Sequence, residues 1–141
     1  MNSGRKGLIE LSIPLDAISG QSAREKSIRH GHISTLYIWW ARRPLTACRA
    51  AVLAALVDAP EPSSLQGGGD RGRAGAERQR LERLVATIVD RNQVKDGNSP
   101  AVEEAQRVIR EHWGEETPRV LDMFAGGGAI QRGATPEIEV E

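Results

Sequence analysis

The sequence contains little of what stabilises disulfide-rich, zinc-binding or membrane proteins. Cys48 is the single cysteine among 141 residues, which excludes an intramolecular disulfide and predicts an intracellular, cytoplasmic location. The three histidines form no recognised zinc spacing with it, so we predict no structural metal. The longest apolar run, residues 50–57, is far shorter than the ~20 residues that span a bilayer. We therefore expect a soluble protein without a membrane partner.

Aromatic residues are scarce, and three of the five, Tyr37, Trp39 and Trp40, fall within four positions. Such residues pack in cores or stack on nucleic-acid bases, and core packing is the more common role.

Basic residues are concentrated in the same part of the chain. The whole sequence has 19 basic and 19 acidic residues, but residues 1–49 have eight basic and three acidic ones. This asymmetry indicates either an anionic partner or a solvated surface.

Two signals near the amino terminus predict local structure. Weak alternation over residues 8–13 predicts a short strand, followed by a helical turn with Pro14 in its first position. Ser22 and Glu25 have the spacing of a capping box, which predicts a short helix over residues 23–30.

Longer helices are predicted further along the chain. Pro44 suits the first position of a helix that continues to about residue 57. Apolar spacing predicts an amphipathic helix over residues 76–91. Another helix begins after Ser99 and stops at Gly114.

Composition divides the chain into four parts. Residues 1–60 form a basic segment with a helix, and residues 61–76, rich in Gly, Pro and Ser, are predicted to be a flexible linker. Residues 77–114 hold a helical pair, and residues 119–141 begin a cofactor-binding domain. The three glycines at 67–69 could also be a phosphate loop, but no apolar strand precedes them and no Lys-Ser or Lys-Thr pair follows.

The stretch RVLDMFAGGG at residues 119–128 carries most of the functional prediction. Val120 and Leu121 suit a buried parallel strand, Asp122 follows at its carboxyl end, and three consecutive glycines let the backbone approach a ligand. The spacing Asp-x-Phe-x-Gly-x-Gly is similar to the first motif of S-adenosylmethionine-dependent methyltransferases, and an ordinary glycine-rich turn is the alternative. The predicted fold class is therefore α/β: an incomplete Rossmann-like methyltransferase fragment, mostly helical, with a short strand and a glycine-rich loop near the carboxyl terminus.

The first third of the chain contains three distinctive stretches close to one another: SAREKSIRHGH at 22–32, STL at 34–36 and WWARRPL at 39–45. They resemble the amino-terminal domain of unknown function 1156, which opens a group of bacterial and archaeal proteins described as adenine-specific DNA methylases. The resemblance covers roughly residues 6–60 and resumes at 120–130, where members of the family have a comparable Asp-x-Phe-Ala-Gly-Gly-Gly motif.

This resemblance implies S-adenosylmethionine as cofactor and DNA as partner. In DNA amino-methyltransferases with permuted motif order, a basic residue and a proline followed by a helix precede the cofactor motif and pack beside it. The cofactor-binding residues that the resemblance implies are Trp40, Arg43, Pro44, Asp122, Phe124, Ala125, Gly126, Gly127 and Gly128. The residues predicted to contact nucleic acid are Arg24, Lys26, Arg29, Arg42 and Arg49.

The sequence departs from the family pattern in two places. Met123 stands where the motif generally has proline, and the resemblance ends after Ile130. Neither Asp-Pro-Pro-Tyr nor Asn-Pro-Pro-Tyr, which holds the amine of the flipped base in this class, occurs. We therefore expect the amino-terminal part of a DNA adenine methyltransferase, truncated after the cofactor motif, inactive alone and completed by a separate downstream polypeptide. The alternatives are a non-enzymatic nucleic-acid-binding module and an inactive gene fragment.

Overall fold

The computed structural model describes residues 6–28, 44–60, 70–94, 99–114, 119–122 and 139–140. Within these ranges the chain forms five α-helices and two short strands. The helices are α1 (Leu8–Leu11), α2 (Leu15–Ser27), α3 (Leu45–Leu56), α4 (Asp70–Val89) and α5 (Pro100–Trp113), and a 3-10 turn (Arg91–Gln93) follows α4. The strands are β1 (Arg119–Val120) and β2 (Glu139–Val140).

Helix α3 lies at the centre of the described structure, since α1, α2, α4 and α5 all pack against it. Small residues let these neighbours approach closely, and Ala50 and Ala54 are both buried. Burying a single Leu, Ile or Val side chain contributes about 1.5–3 kcal/mol, so this core supplies most of the driving force for folding. The core cluster consists of Leu8, Ala50, Leu53, Ala54, Leu56, Val57, Leu81, Val85, Ile88, Val89, Ala105, Val108 and Ile109.

The α/β, Rossmann-like fold predicted from the sequence is wrong. In a Rossmann-like fold the apolar sides of the helices cover a parallel sheet, whereas here they cover other helices. In the described residues the strands comprise two residues each, and they pair in parallel with Arg119 opposite Glu139. Leu121, which was expected inside a strand, is 69% exposed. The prediction that the chain is mostly helical agrees with the structure.

The strand predicted over residues 8–13 is also wrong, because this segment begins with the helical turn α1. The backbone before α1 pairs with the chain after α3 instead. Leu8 donates its amide to the carbonyl oxygen of Val57 at 2.8 Å, and Ala59 donates to that of Lys6 at 2.8 Å. A Cβ at Gly7 would lie 3.2 Å from the carbonyl oxygen of Ala55, which explains why this position favours glycine.

Helix α2 is longer than the helix predicted over residues 23–30, and it ends earlier. It begins directly after Pro14, where only a turn was expected. The predicted capping box is absent, since the Ser22 hydroxyl is buried without a hydrogen-bond partner and the carboxylate of Glu25 accepts from α3. Gly20 and several serines weaken the local helix signal, so packing against α3 and α4 stabilises this helix.

The segment predicted to be a linker, residues 61–76, is helical in its last part. Helix α4 begins at Asp70, and Ala74 is buried. Residues 61–69 lie outside the described residues. Arginine, alanine and glutamate after Asp70 have high helix propensity, which outweighs the two glycines in the first turns.

The two helices predicted between residues 77 and 114 are present as α4 and α5, and they pack against each other. Their apolar residues belong to the same core as those of α1 and α3. Ser99 caps α5 by accepting from the amide of Val102, and Gly114 ends it with a φ of 66°. None of the helices in the described ranges has the length and apolarity to cross a bilayer.

Candidate cofactor and nucleic-acid site

The structure describes five of the residues that the sequence predicts for the site. Those described residues are Arg24, Lys26, Pro44, Arg49 and Asp122. The other predicted residues lie outside the described ranges, namely Arg29, Trp40, Arg42, Arg43, Phe124, Ala125, Gly126, Gly127 and Gly128.

A carboxylate from α2 binds the beginning of α3. The Oε1 atom of Glu25 accepts the amide of Leu45 at 2.9 Å, and its Oε2 atom accepts the amide of Thr46 at 3.0 Å. The hydroxyl of Thr46 also donates to Oε2, at 2.7 Å. Glu25 and Thr46 are 7% and 5% exposed, so these bonds are shielded from water. We refer to Glu25, Leu45 and Thr46 as the Glu25 junction.

The sequence around Pro44 explains why the junction forms. Pro44 is the N-cap residue of α3 and has no side chain that can accept a hydrogen bond from the first amides of the helix. These amides still need acceptors once they are buried, and an anion at a helix amino terminus also interacts favourably with the helix dipole. The carboxylate of Glu25 supplies both the acceptors and the negative charge, through charge-assisted hydrogen bonds.

The junction connects two described candidates for nucleic-acid contact, Arg24 and Lys26, with Pro44, a candidate for the cofactor site. Arg24 and Lys26 are the sequence neighbours of Glu25, lie in the last turn of α2, and are both exposed. Pro44 directly precedes Leu45, whose amide Glu25 binds. A pair of solvated cations therefore lies on the same turn that holds the beginning of α3. The hydroxyl of Ser27 donates to the carbonyl oxygen of Arg24 at 2.7 Å and closes this turn.

Arg49 has a different environment from Arg24 and Lys26. Its guanidinium is partly buried, and its Nη1 atom donates to the carbonyl oxygen of Ile88 at 3.2 Å, which joins α3 to the end of α4. Desolvation lowers the pKa of Arg49, and the negative charge of Glu25 opposes that shift. These contacts favour a packing role, and the contact of Arg49 with nucleic acid stays a prediction.

At the other end of the chain, Asp122 lies two residues beyond β1 and is half-buried. The parallel pairing of β1 with β2 orients the backbone that leads to Asp122. The glycines of the predicted cofactor loop follow at 126–128, outside the described residues. In the described ranges, no three His, Cys, Asp or Glu side chains come together as a metal-binding group.

Sequence reasoning missed the role of Glu25, because it assigned this residue to the beginning of its own helix. One signal could have corrected that assignment. A helix that begins after Pro44 without Ser, Thr, Asp or Asn at its N-cap requires an acceptor from elsewhere in the fold. Glu25 is the last acidic residue before Pro44 in the sequence.

The model of one protein family, described as "Protein of unknown function (DUF1156)", matches residues 12–84. The match includes the whole of α2, the whole of α3 and the first part of α4, and therefore all three residues of the Glu25 junction. Comparison with curated proteins and with solved structures gives no significant match.

Proposed function

The chain belongs to the DUF1156 family, whose model matches more than half of it, and on this premise we propose that it is the amino-terminal part of an S-adenosylmethionine-dependent DNA adenine methyltransferase. In this proposal the chain binds the cofactor and contacts DNA phosphates.

The Glu25 junction is the observation that carries the proposal. It joins the turn that exposes Arg24 and Lys26 to the helix that follows Trp40, Arg43 and Pro44. A methyltransferase must hold the DNA backbone and the methyl donor close together, because the transfer requires the two reacting atoms in line and in contact. The buried hydrogen bonds of the junction support the proposal, because they hold the turn of Arg24 and Lys26 against the beginning of α3.

The cofactor would contact two segments in this proposal. The backbone of Gly126, Gly127 and Gly128 would approach it without interference from a Cβ, and Asp122 would lie at the entrance to this loop. Trp40 and Arg43 would flank it from the other segment, the tryptophan through its ring and the arginine through its charge. When bound, S-adenosylmethionine supplies the electrophilic methyl group.

The phosphate contacts would come from Arg24, Lys26, Arg29 and Arg42. Each cation that neutralises a phosphate releases a counterion, so DNA affinity should fall steeply as salt increases. The target base would have to leave the duplex, since its exocyclic amine is otherwise paired. In this proposal the chain positions its two ligands, the cofactor and the DNA.

Calorimetry with S-adenosylmethionine tests the cofactor part of the proposal. We expect micromolar affinity in the unaltered chain, reduced affinity in Trp40→Ala and no binding in Gly126→Val, because the valine side chain obstructs the backbone approach. Gly20→Val is the matched control, since Gly20 is exposed on α2 and a Cβ there meets no atom within 4 Å. Equal affinity in Gly126→Val and Gly20→Val would remove this loop from the cofactor site.

A nucleic-acid-binding module without enzymatic activity is the second candidate. The solvated positions of Arg24 and Lys26 favour it, because they are suited to phosphate contacts whether or not a cofactor binds. This candidate predicts salt-dependent binding to DNA that S-adenosylmethionine does not alter.

A further inference from the structure

Helix α2 is attached to the rest of the described structure mainly through polar contacts. Its one buried residue is Glu25, whereas α3 has seven buried residues and α5 has four. None of its residues belongs to the buried core cluster, and only Ala17 and Ile18 pack against that cluster while partly exposed. This helix therefore has little of the apolar burial that attaches α5 to the core.

Two features of α2 oppose its docked position. The Oγ atom of Ser22 is buried and has no hydrogen-bond partner, which costs free energy that is recovered when water reaches the hydroxyl. Gly20 lies in the interior of the helix, where glycine is unfavourable. Since a helix of 13 residues is marginal on its own in water, α2 should also unfold once it leaves its neighbours.

Polar bonds hold both ends of α2. At the carboxyl end, the carboxylate of Glu25 accepts from the amides of Leu45 and Thr46 and from the Thr46 hydroxyl. Just before the amino end, the hydroxyl of Ser12 donates to Oε1 of Glu82 on α4 at 2.5 Å. The docked position of α2 therefore depends on a few directional bonds and not on a broad apolar surface.

Helix α1 is anchored differently, and it marks where the weakly held part begins. Leu8 is 1% exposed and belongs to the core cluster, and its amide donates to the carbonyl oxygen of Val57. Ile13 still packs against the core, but Leu15, the first residue of α2, is 62% exposed. Pro14 lies between them. A release of the chain at Pro14 therefore leaves α1 and the core in place.

From these observations we propose that α2 is a detachable strap. It leaves α3 and α4 as one unit, with Pro14 as the hinge, while α1, α3, α4 and α5 stay folded. The carboxylate of Glu25 is the latch that sets how often the strap is released. Arg24 and Lys26 are exposed on its last turn, so release displaces two surface cations and frees the first amides of α3.

Amide hydrogen exchange on the full chain tests the strap. In the native state each amide exchanges through the opening that exposes it at the lowest free energy. We expect the amides of α2 to exchange at least tenfold faster, relative to their intrinsic rates, than those of Val85 and Ile88 in α4. Equal protection in the two helices would show that α2 opens only with the whole fold, and it would overturn the proposal.

The variant Val108→Ala separates local release from global unfolding. Val108 is buried in α5, at 1% exposed, so the smaller side chain destabilises the folded core. Global unfolding then becomes more frequent, whereas release of α2, which keeps the core folded, does not. Exchange should therefore accelerate about tenfold at Val85 and Ile88 and stay unchanged in α2. Equal acceleration in α2 and α4 would contradict the strap.

The variant Glu25→Gln tests the latch. Glutamine has nearly the same volume as glutamate, but its amide nitrogen cannot accept, so one of the buried donors at the beginning of α3 loses its acceptor. We expect exchange in α2 to accelerate about tenfold. Glu111→Gln makes the same chemical change at an exposed position of α5 and should leave exchange in α2 unaltered.

The variant Ser22→Ala should act in the opposite direction, because it removes the buried hydroxyl that has no partner. Ser19→Ala is the matched control, since it makes the same change at an exposed position of α2 and reports helix propensity alone. Exchange in α2 should be slowed several-fold more by Ser22→Ala than by Ser19→Ala. If Glu25→Gln leaves exchange in α2 at the rate of the unaltered chain, Glu25 is not the latch and the proposal is wrong.

Discussion

The indole of Trp113, the last residue of α5, donates from Nε1 to the carbonyl oxygen of Leu56, the last residue of α3, at 2.8 Å. The last carbonyl groups of a helix receive no backbone hydrogen bond within that helix, so a donor from another helix stabilises them. The bond joins the carboxyl ends of two helices that lie 57 residues apart in the sequence. This hydrogen bond holds α5 against α3, the central helix of the core.

Trp113→Phe should therefore destabilise the fold, because phenylalanine retains an aromatic ring but has no donor. We expect the free energy of unfolding, measured by urea denaturation, to fall by about 0.5–1.5 kcal/mol from the hydrogen bond, with a further loss from the smaller ring. Glu111→Gln, an exposed change on the same helix, is the control and should stay within about 0.5 kcal/mol. Equal stability of Trp113→Phe and the unaltered chain would contradict the role assigned to this bond.

Two glycine substitutions should have opposite effects. A Cβ at Gly7 would lie 3.2 Å and 3.4 Å from the carbonyl oxygens of Ala55 and Ala54, which belong to the central helix and cannot move easily. We expect Gly7→Ala to destabilise the chain by about 1 kcal/mol. Gly20→Ala, inside α2 with no atom within 4 Å of the added Cβ, should stabilise it by about 0.5–1 kcal/mol.

Thermal unfolding of these two variants checks the pairing of the amino-terminal segment with the chain after α3. Melting temperatures that rise in both variants would show that the segment around Gly7 does not pack closely against Ala54 and Ala55.

Glu104 on α5 should make part of the stability depend on pH. Hydrogen bonds from Arg80, at 2.5 Å, and from Arg107 lower the pKa of Glu104 below its ordinary value near 4.5. Since the folded-state pKa is the lower one, the contribution is present above about pH 4.5 and is lost as the pH falls through the folded-state pKa. The ion pairs are partly exposed, so the effect should be small.

Melting curves between pH 3 and pH 7 test this contribution. The unaltered chain should be more stable than Glu104→Gln at pH 7, and the difference should shrink towards pH 3. A difference that is constant over this range would show that the ion pairs with Arg80 and Arg107 do not contribute.

The parts of the fold that the sequence predicts are those with local signals. Ser99 and Gly114 mark the two ends of α5, and Pro44 marks the start of α3 to within one residue, because capping chemistry depends on neighbouring residues. The beginning of α2 has no such signal, since Gly20 and its serines weaken the helical pattern. Packing against neighbouring helices therefore determines where α2 begins.

The incorrect fold class has a related cause. The residues around Val120 have the composition of a parallel strand, but a sheet requires further strands beside it, and no local pattern shows whether they exist. The role of Glu25 was missed for a related reason, because its partners Leu45 and Thr46 become neighbours only when α2 packs on α3. The predicted cofactor glycines, Gly126 to Gly128, lie outside the described residues, so that part of the site stays a prediction.

The most direct test of the proposed function measures DNA affinity with and without S-adenosylmethionine. Fluorescence anisotropy of a labelled duplex with the unaltered chain should show binding that weakens as salt increases. If the proposed function is correct, saturating cofactor should also change the dissociation constant, because the two ligands bind next to each other in this proposal. Arg24→Ala with Lys26→Ala should weaken DNA binding, and Gly126→Val should abolish the effect of the cofactor. DNA affinity that is identical with and without S-adenosylmethionine in the unaltered chain would contradict the proposal and leave the nucleic-acid-binding module.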